Sequence, residues 1–177
     1  MLDRGDIFLG NTPAHERAFL SAVFQAALPH YQRLVIPCAG KFAAVEAAVQ
    51  AGWKPAQIVA SDVSLFSTVL AHHLNSQPLA GLNIQIPDAY HGAGYDLAHL
   101  DLSDPPTVVY ALKLAVLRHR AKTYYDDLLV RDLERRPDDH IARLRQQMDA
   151  LKARIGGFEY HARDLFAHLE EALDDPG

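Results

Sequence analysis

The pattern of apolar and polar positions along the chain separates the predicted helices from the predicted strands. Apolar residues from Phe19 to Ala27 recur at helical spacing and predict a helix over 12–28. Further helices are predicted over the Ala-rich segment 42–51 and over 64–74 and 164–173. Short continuous apolar runs at 33–37 and 57–61 predict buried strands. Thr12 is predicted to cap the first helix, with Pro13 at its first position. This order, with short connections, predicts an α/β fold that opens a parallel doubly wound sheet.

The pattern changes in the second half of the chain. Residues 75–104 are rich in Gly, Pro, Asn and His, which predicts irregular structure with a short strand at 83–86. Pro106 begins a predicted long helix that runs to about Arg136. A second helix begins at Pro137 and ends at a Gly-Gly pair.

The second of these helices carries a spaced apolar stripe. Apolar residues follow a 3,4,3,4 spacing from Ile141 to Ile155, which we interpret as packing within the chain, with a dimer seam as the alternative. Alternation at 158–162 then predicts a return to the sheet as a strand. We therefore predict an α/β core of residues 1–104 and 156–177, interrupted by a long two-helix insertion over 105–155.

Composition favours a soluble globular protein. Of the 177 residues, 49% are hydrophobic and 22% are charged, and the length suits one domain. No apolar run approaches the roughly 18–20 residues that span a bilayer, and the first residues lack the apolar core of a signal peptide. The single cysteine, Cys38, excludes an internal disulfide. These features predict a cytoplasmic protein without a membrane partner.

Charge is distributed unevenly along the chain. The formal net charge is −5, yet residues 113–154 hold 11 Lys/Arg and 7 Asp/Glu, a local charge of +4. The remaining residues hold 6 basic and 15 acidic side chains, a charge of −9. A basic segment on an acidic chain indicates a surface that faces phosphates. The alternative is a pair of long solvated helices that carry charges of both signs.

The turn after the first predicted strand is a candidate nucleotide site. Ala39 and Gly40 are small enough for a cofactor to approach the backbone, beyond the carboxyl end of a strand where α/β ligands bind. Asp62 ends the second predicted strand, 22 positions after Gly40, where a carboxylate can accept both hydroxyls of a ribose. The alternatives are a plain turn and an Asp62 that only caps the next helix.

Three segments stand in a particular order in the first part of the chain. They are Phe8-Leu9-Gly10-Asn11-Thr12, Val35-Ile36-Pro37-Cys38-Ala39-Gly40 and Ala60-Ser61-Asp62-Val63. Together they resemble the opening of the Dam-like adenine-N6 DNA methyltransferases. In that family an aromatic-x-Gly-x-Lys segment precedes the first helix, a Glu-Pro-Phe-x-Gly-x-Gly turn follows the first strand, and an acidic residue ends the second. Further on, residues 157–166 are similar to the family's strand ending in Gly-Asp.

This resemblance implies a partial Rossmann-like class I methyltransferase fold with S-adenosylmethionine as the cofactor. It assigns the methionine part of the cofactor to the turn at 37–42, the ribose to Asp62 and the adenine to Asp164. The full set of implied cofactor-binding residues is Gly10, Asn11, Pro37, Cys38, Ala39, Gly40, Lys41, Phe42, Asp62, Asp164 and Leu165.

The resemblance also implies DNA as a partner. The basic insertion lies where the family often places its DNA-recognition segment, and a phage or bacterial restriction-modification setting is implied. The implied DNA-binding residues are Arg118, Arg120, Lys122, Arg143 and Arg145. A partner chain or a homo-oligomer is a further prediction.

No catalytic residue is assigned. The family's Asp/Asn-Pro-Pro-Tyr motif, which holds a flipped adenine, is expected after the Asp164 segment, and the residues after Asp164 contain no such motif. Asp104-Pro105-Pro106-Thr107 has the triplet, but it precedes Asp164 and Thr107 cannot stack on a base. We predict that it starts a helix.

The chain departs from the family pattern at the predicted cofactor turn. Ile36 stands where the family has Glu, Thr12 where it has Lys, and Lys41-Phe42 replace glycines of the turn. Each change removes a cofactor contact or adds bulk. Elsewhere the ten histidines are scattered without a metal-binding motif, so no metal site is predicted, and Cys38 has no evident partner base.

The predicted function is that of the S-adenosylmethionine-binding part of a DNA adenine-N6 methyltransferase-like protein. Three alternatives remain open at this point. The first is a non-catalytic methyltransferase-like subunit that binds a partner protein or DNA. The second is a different Rossmann-type nucleotide binder, and the third is a helical oligomerisation module.

Overall fold

The computed structural model describes residues 12–82, 100–121 and 123–174. The predicted strand at 83–86, together with Gly10, Asn11, Lys122 and the side chain of Arg120, lies outside the described residues. The helices are α1 (Ala14–Ala27), α2 (Ala43–Gln50), α3 (Leu65–Leu74), α4 (Pro105–Arg120), α5 (Tyr124–Arg135), α6 (Pro137–Ile155) and α7 (Leu165–Asp174). The strands are β1 (Leu34–Ile36), β2 (Ile58–Ser61) and β3 (Glu159–His161), and a 3-10 turn at Pro55–Gln57 precedes β2.

The three strands form one parallel sheet in the order β1-β2-β3. Val35 is opposite Val59, and Ala60 is opposite Tyr160. All four residues of β2 are buried, as a central strand covered by helices requires. The predicted α/β class is confirmed, and so are the strands predicted at 33–37, 57–61 and 158–162, within a residue or two at their ends.

The start of α1 differs from the prediction. Pro13, and not Thr12, is the N-cap residue, and no side chain caps the helix. Thr12 instead accepts a hydrogen bond at its carbonyl oxygen from the Arg17 guanidinium, 2.8 Å away. The predicted Thr12 cap was wrong because the chain enters the helix one residue later.

The predicted long helix from Pro106 to Arg136 was also wrong, because the chain leaves the helix at Ala121. Ala121 has a ψ of 114°, and Thr123 begins a new helix with a capping box. The Thr123 hydroxyl accepts from the Asp126 N–H while the Asp126 carboxylate accepts from the Thr123 N–H. This local alternative to a continuous helix divides the segment into α4 and α5, so three helices stand where two were predicted.

Helices α4 and α6 pack onto the same core as the sheet. Helix α4 contacts α3 and α6, and α6 contacts α3 and α2. Val108, Tyr110 and Met148 belong to one buried cluster with Ile58 and Phe158. Helix α6 ends at Ile155 as predicted, with Gly156 as its C-cap. The division into a core and an insertion stays a prediction. Among the described helices, none is long and apolar enough to cross a membrane.

Candidate functional site

The carboxyl ends of the three parallel strands lie along one edge of the sheet. Ile36, Ser61 and His161 are the last residues of β1, β2 and β3. The turn at 37–42 and the segment that begins at Asp62 follow at this edge. The backbone N–H of Asp62 donates a hydrogen bond to the carbonyl oxygen of His161 at 3.4 Å. This edge of an open α/β sheet is where ligands bind.

The turn after β1 has an unusual backbone. Cys38, Gly40 and Phe42 all have positive φ, at 53°, 53° and 63°. A left-handed residue other than glycine costs roughly 1–2 kcal/mol, so the surrounding contacts have to hold the turn in place. The Ala39 N–H donates to the Ser61 carbonyl at 2.9 Å and thereby fixes the turn to the end of β2.

A second contact that holds the turn comes from α3. The Ser67 hydroxyl donates to the Gly40 carbonyl at 2.9 Å, and Ser67 is itself fully buried. The Ser64 hydroxyl lies 2.7 Å from that of Ser67 and accepts from the Ser67 N–H, as the N-cap of α3. The start of α3 is therefore built around the turn that follows β1.

The Asp62 carboxylate connects the turn to β2. One oxygen accepts from the Gly40 N–H at 2.9 Å, and the other accepts from the Ser64 N–H at 2.8 Å. Asp62 remains partly exposed, and each carboxylate oxygen can accept a second hydrogen bond. Asp62 therefore holds the turn and still has acceptor positions directed away from these two donors.

The predicted cofactor residues of the turn face different surroundings. Phe42 is completely buried, and its ring packs against Phe158 at 5.0 Å and Tyr160 at 5.8 Å between centroids. Cys38 is exposed, Pro37 and Lys41 are half-buried, and burial lowers the pKa of the Lys41 ammonium. Phe42 is thus a core residue, while Cys38 and the backbone of Gly40 lie at the surface side of the turn.

Tyr160 contacts the backbone of Asp62. Its hydroxyl donates to the backbone carbonyl of Asp62 at 3.1 Å and lies 3.1 Å from the Thr68 hydroxyl. Burial, with a smaller contribution from the nearby Asp62 carboxylate, raises the pKa of Tyr160 to about 12. Sequence reasoning did not find this residue, although its alternation with Phe158 did place it in a strand.

A buried hydroxyl–imidazole pair joins β2 to α7. Ser61 is fully buried and its hydroxyl hydrogen-bonds the Nδ1 of His168, which is 3% exposed. The His168 ring lies 6.0 Å from that of His161, which contacts Glu159 and Arg163. Burial, then the positive neighbours, lower the pKa of His168. No sequence signal pointed to this pair, because 107 residues separate its members.

Asp164 is the N-terminal cap of α7. Its carboxylate accepts from the Phe166 and Ala167 N–H groups at 2.8 and 3.0 Å. Asp164 is exposed and Leu165 is half-buried. The residue that the resemblance assigns to the cofactor adenine therefore stands at the ligand-binding edge of the sheet, with its carboxylate directed to the helix start.

The predicted DNA-binding residues do not share one environment. Arg118 forms an ion pair with Glu134, and Arg145 forms one with Asp104 at 2.9 Å. Arg143 is exposed on α6 and makes no ion pair or hydrogen bond with another residue that the structure describes. Asp104 also caps α4 by accepting from the Thr107 N–H at 3.0 Å, which confirms the predicted helix start at Asp-Pro-Pro.

A family described as Phage DNA Adenine Methylase-like domain 1 matches residues 8–177. The chain belongs to this family. The resemblance to Dam-like methyltransferases is thereby confirmed at the level of the family. Comparison with curated proteins and with solved structures gives no match. Within the described parts of this phage methylase-like domain, no three His, Cys, Asp or Glu side chains are grouped so that they could hold a metal ion.

Proposed function

We propose that this phage methylase-like domain is the S-adenosylmethionine-binding part of a DNA adenine-N6 methyltransferase-like protein, with a partial Rossmann-like class I fold. The family description supports a methyl donor and DNA as the reaction partners. The single observation that carries the proposal is the bond between the Asp62 carboxylate and the Gly40 N–H, 2.9 Å long. This hydrogen bond brings together a turn of small residues and an acidic residue at adjacent strand ends, the two features that a nucleoside site requires.

The residues at this edge fit a nucleoside-bearing cofactor. Gly40 has no side chain to cover its left-handed turn, Cys38 is small and exposed, and Asp62 keeps acceptor positions for ribose hydroxyls. We assign the methionine part to the backbone of Pro37–Lys41, the ribose to Asp62, and the adenine side to Asp164 and Leu165. When bound, S-adenosylmethionine supplies an electrophilic methyl group.

The chain's own contribution to the reaction is binding and orientation. The hydrogen bonds that Ala39 and Ser67 donate, and the one that the Asp62 carboxylate accepts from Gly40, keep the turn rigid. A rigid turn limits the ordering that ligand binding has to impose. The residues after Asp164 contain no Asp/Asn-Pro-Pro-aromatic segment, so we propose that another segment or a partner chain supplies the groups that hold the target adenine. DNA would meet the basic segment 113–154 of this chain, where Arg143 is exposed.

A second candidate function is that of a non-catalytic subunit that pairs with another protein. β1 pairs with β2 on one side, and no strand among the described residues pairs with its other side. On α1, the side chains of Phe19 and Val23 are 68% and 45% exposed. A strand edge that no described strand pairs with, and exposed apolar side chains, are features that a protein partner can cover.

Calorimetry with S-adenosylmethionine and S-adenosylhomocysteine tests the proposal. Asp62→Ala is expected to weaken binding by roughly 1.5–3 kcal/mol, the usual effect of losing hydrogen bonds to a charged group. Asp139→Ala, at an exposed carboxylate of α6, is the matched control and is expected to bind as the unchanged chain does. Absence of binding by the folded chain at millimolar ligand, or equal binding by Asp62→Ala, would contradict the proposal.

A further inference from the structure

Helix α5 carries an exposed stripe of two apolar and two basic side chains. Tyr124, Leu128, Arg131 and Arg135 follow a 4,3,4 spacing, which at about 100° per residue places them within roughly 60° of one another around the helix. We call these four residues the α5 stripe. Leu133, 1% exposed, lies on the opposite side of the helix and joins the core. The α5 stripe therefore faces away from the rest of the domain.

The side chains of the α5 stripe are open to solvent. Tyr124 is 76% exposed and Leu128 is 44% exposed, and the adjacent Tyr125 is 66% exposed. Arg131 and Arg135 are exposed, and in the described parts of the chain neither makes an ion pair or a hydrogen bond through its side chain. Exposed aromatic rings beside unpaired guanidinium groups on one helix face are unusual for a surface that contacts only water.

The carboxylates of α5 lie off this stripe, and most are already engaged. Asp132 is ion-paired with Arg136 and hydrogen-bonded to His140, and Glu134 is ion-paired with Arg118. Asp126 is held in the capping box with Thr123. The ion pairs offset the charges of Asp132 and Glu134, whereas Asp126 keeps its negative charge on the side of the helix opposite the stripe.

Asp127 is the exception on this helix. It is exposed beside the stripe, and it has no side-chain hydrogen bond or ion pair with any residue of 12–82, 100–121 or 123–174. On the face that carries the stripe, Asp127 therefore stands against two guanidinium groups, which leaves this face, although not the whole helix, with a positive charge.

We propose that the α5 stripe is a contact surface for duplex DNA, an inference that rests on the proposed function of the domain. Arg131 and Arg135, one helical turn or about 6 Å apart along the axis, bind backbone phosphates. Tyr124 and Leu128 contact sugars and base edges beside those phosphates. The stripe is about 16 Å long, and a single exposed helix is narrow enough for a major groove about 12 Å wide.

The α5 stripe differs from the DNA-binding set that the resemblance implied. Arg118 and Arg145 are in ion pairs with Glu134 and Asp104, so each would have to give up a partner before it could bind a phosphate. Arg131 and Arg135 have no such partner to lose among the described residues. Charge complementarity thus favours a polyanion on the α5 stripe over an uncharged protein surface.

The experiment measures duplex DNA binding by the full chain at several salt concentrations. The test variant combines Arg131→Glu and Arg135→Glu, and a second variant is Tyr124→Ala. The matched controls are Lys54→Glu, an exposed lysine that precedes β2, and Tyr31→Ala, a tyrosine that is 64% exposed. Each variant is first checked for folding by circular dichroism, and its S-adenosylmethionine binding and mass in solution are then recorded.

The double arginine variant is expected to lower DNA affinity at low salt by about tenfold or more and to reduce the salt slope by roughly 1.8, because two phosphate contacts are lost. Tyr124→Ala is expected to weaken binding with an unchanged salt slope, and Asp127→Asn to strengthen it. Both controls should bind DNA as the unchanged chain does.

Equal DNA binding by the double variant, or an equal loss in Lys54→Glu, would overturn the inference. A second outcome would also overturn it: the double arginine variant binds DNA as before but loses self-association in light scattering. That result would assign the stripe to a protein partner. Failure of the proposed function is distinguishable, because it appears as missing S-adenosylmethionine binding while the α5 stripe variants still affect DNA binding.

Discussion

The Asp62 carboxylate accepts a 2.9 Å hydrogen bond from the Gly40 N–H across 22 residues of sequence. The same carboxylate accepts from the Ser64 N–H, so one side chain organises both the turn after β1 and the entry to α3. A residue that the sequence suggested as a ligand contact is thus also a structural support. Its replacement has consequences even when no ligand is present.

Asp62→Ala is expected to lower the free energy of unfolding by about 2 kcal/mol, because two backbone N–H groups lose a charged acceptor. Urea denaturation without ligand measures this. Asp62→Asn, which keeps one acceptor oxygen, is expected to cost less. If Asp62→Ala were as stable as the unchanged chain, the two hydrogen bonds would not hold the turn.

Gly156→Ala is expected to destabilise the domain by about 1–3 kcal/mol, the cost of overpacking. A Cβ at this position would lie 2.6 Å from the Leu74 carbonyl oxygen and 2.8 Å from that of Lys152, and both are backbone atoms. Gly81→Ala is the matched control, since a Cβ there has nothing within 4 Å. Thermal denaturation of both variants should shift the midpoint only for Gly156→Ala.

Tyr160→Phe is expected to cost about 1 kcal/mol at neutral pH, the value of the hydrogen bond to the Asp62 carbonyl. The pKa of Tyr160 is raised to about 12, whereas a tyrosine in the unfolded chain ionises near 10. The folded chain therefore loses stability as pH rises from about 10 to 12, because only the unfolded form releases this proton.

In Tyr160→Phe this part of the alkaline loss should disappear, and the stability difference from the unchanged chain should shrink over the same pH interval. Tyr31→Phe, at an exposed tyrosine, serves as the control and should retain the alkaline loss. Urea midpoints measured at pH 9, 10 and 11 distinguish these outcomes. A difference that stays constant over this range would show that Tyr160 does not resist ionisation.

Stability is expected to fall as pH drops below about 6.5, because of His168. Burial beside Ser61, followed by the positive charges of His161, Arg163 and Arg33, lowers the pKa of His168, and only Glu159 opposes this. The unfolded chain takes up a proton near pH 6.5 that the folded chain resists, so stability present above that pH is lost as pH falls through the lower folded pKa.

His168→Gln should reduce the acid sensitivity and also lower stability at pH 7.5, because the buried hydrogen bond to Ser61 is weakened. His30→Gln, at an exposed histidine, is the control and should keep the acid sensitivity of the unchanged chain. Urea midpoints at pH 7.5 and 5.5 provide the measurement. An identical pH response in His168→Gln would contradict the assigned cause.

The sequence predicted the α/β class and most elements because their signals are local. The apolar runs of β1 and β2 and the period of α6 depend on neighbouring residues alone, and each is present where the pattern put it. The break at Ala121 was missed because the sequence pattern looks helical across it. The capping box of Thr123 and Asp126 nevertheless begins a new helix there. The proline at position 13 was similarly assigned one place too far into α1.

The site was predictable in its positions but not in its contacts. The spacing of Gly40 and Asp62 indicated that they lie at adjacent strand ends, yet only the folded chain brings them into direct hydrogen bonding. Phe42 was predicted to contact the cofactor as part of the turn, whereas its ring is buried against Phe158 and Tyr160, two residues far away in sequence. Contacts such as Ser61–His168 join segments that are distant in sequence, so a local pattern cannot predict them.

The pairing of β2 with β3 has a consequence for how the chain folds as it is made. Ala60 is opposite Tyr160, so the sheet cannot be completed until one hundred further residues have followed β2. At about 5–20 residues per second, that interval lasts roughly 5–20 s on the ribosome. During it, the β3-facing edge of β2 and the Ser61 hydroxyl lack their final partners, and such late, long-range pairing is slow. Nascent chains stalled within α6 should therefore be more sensitive to protease near β2 than chains released after α7.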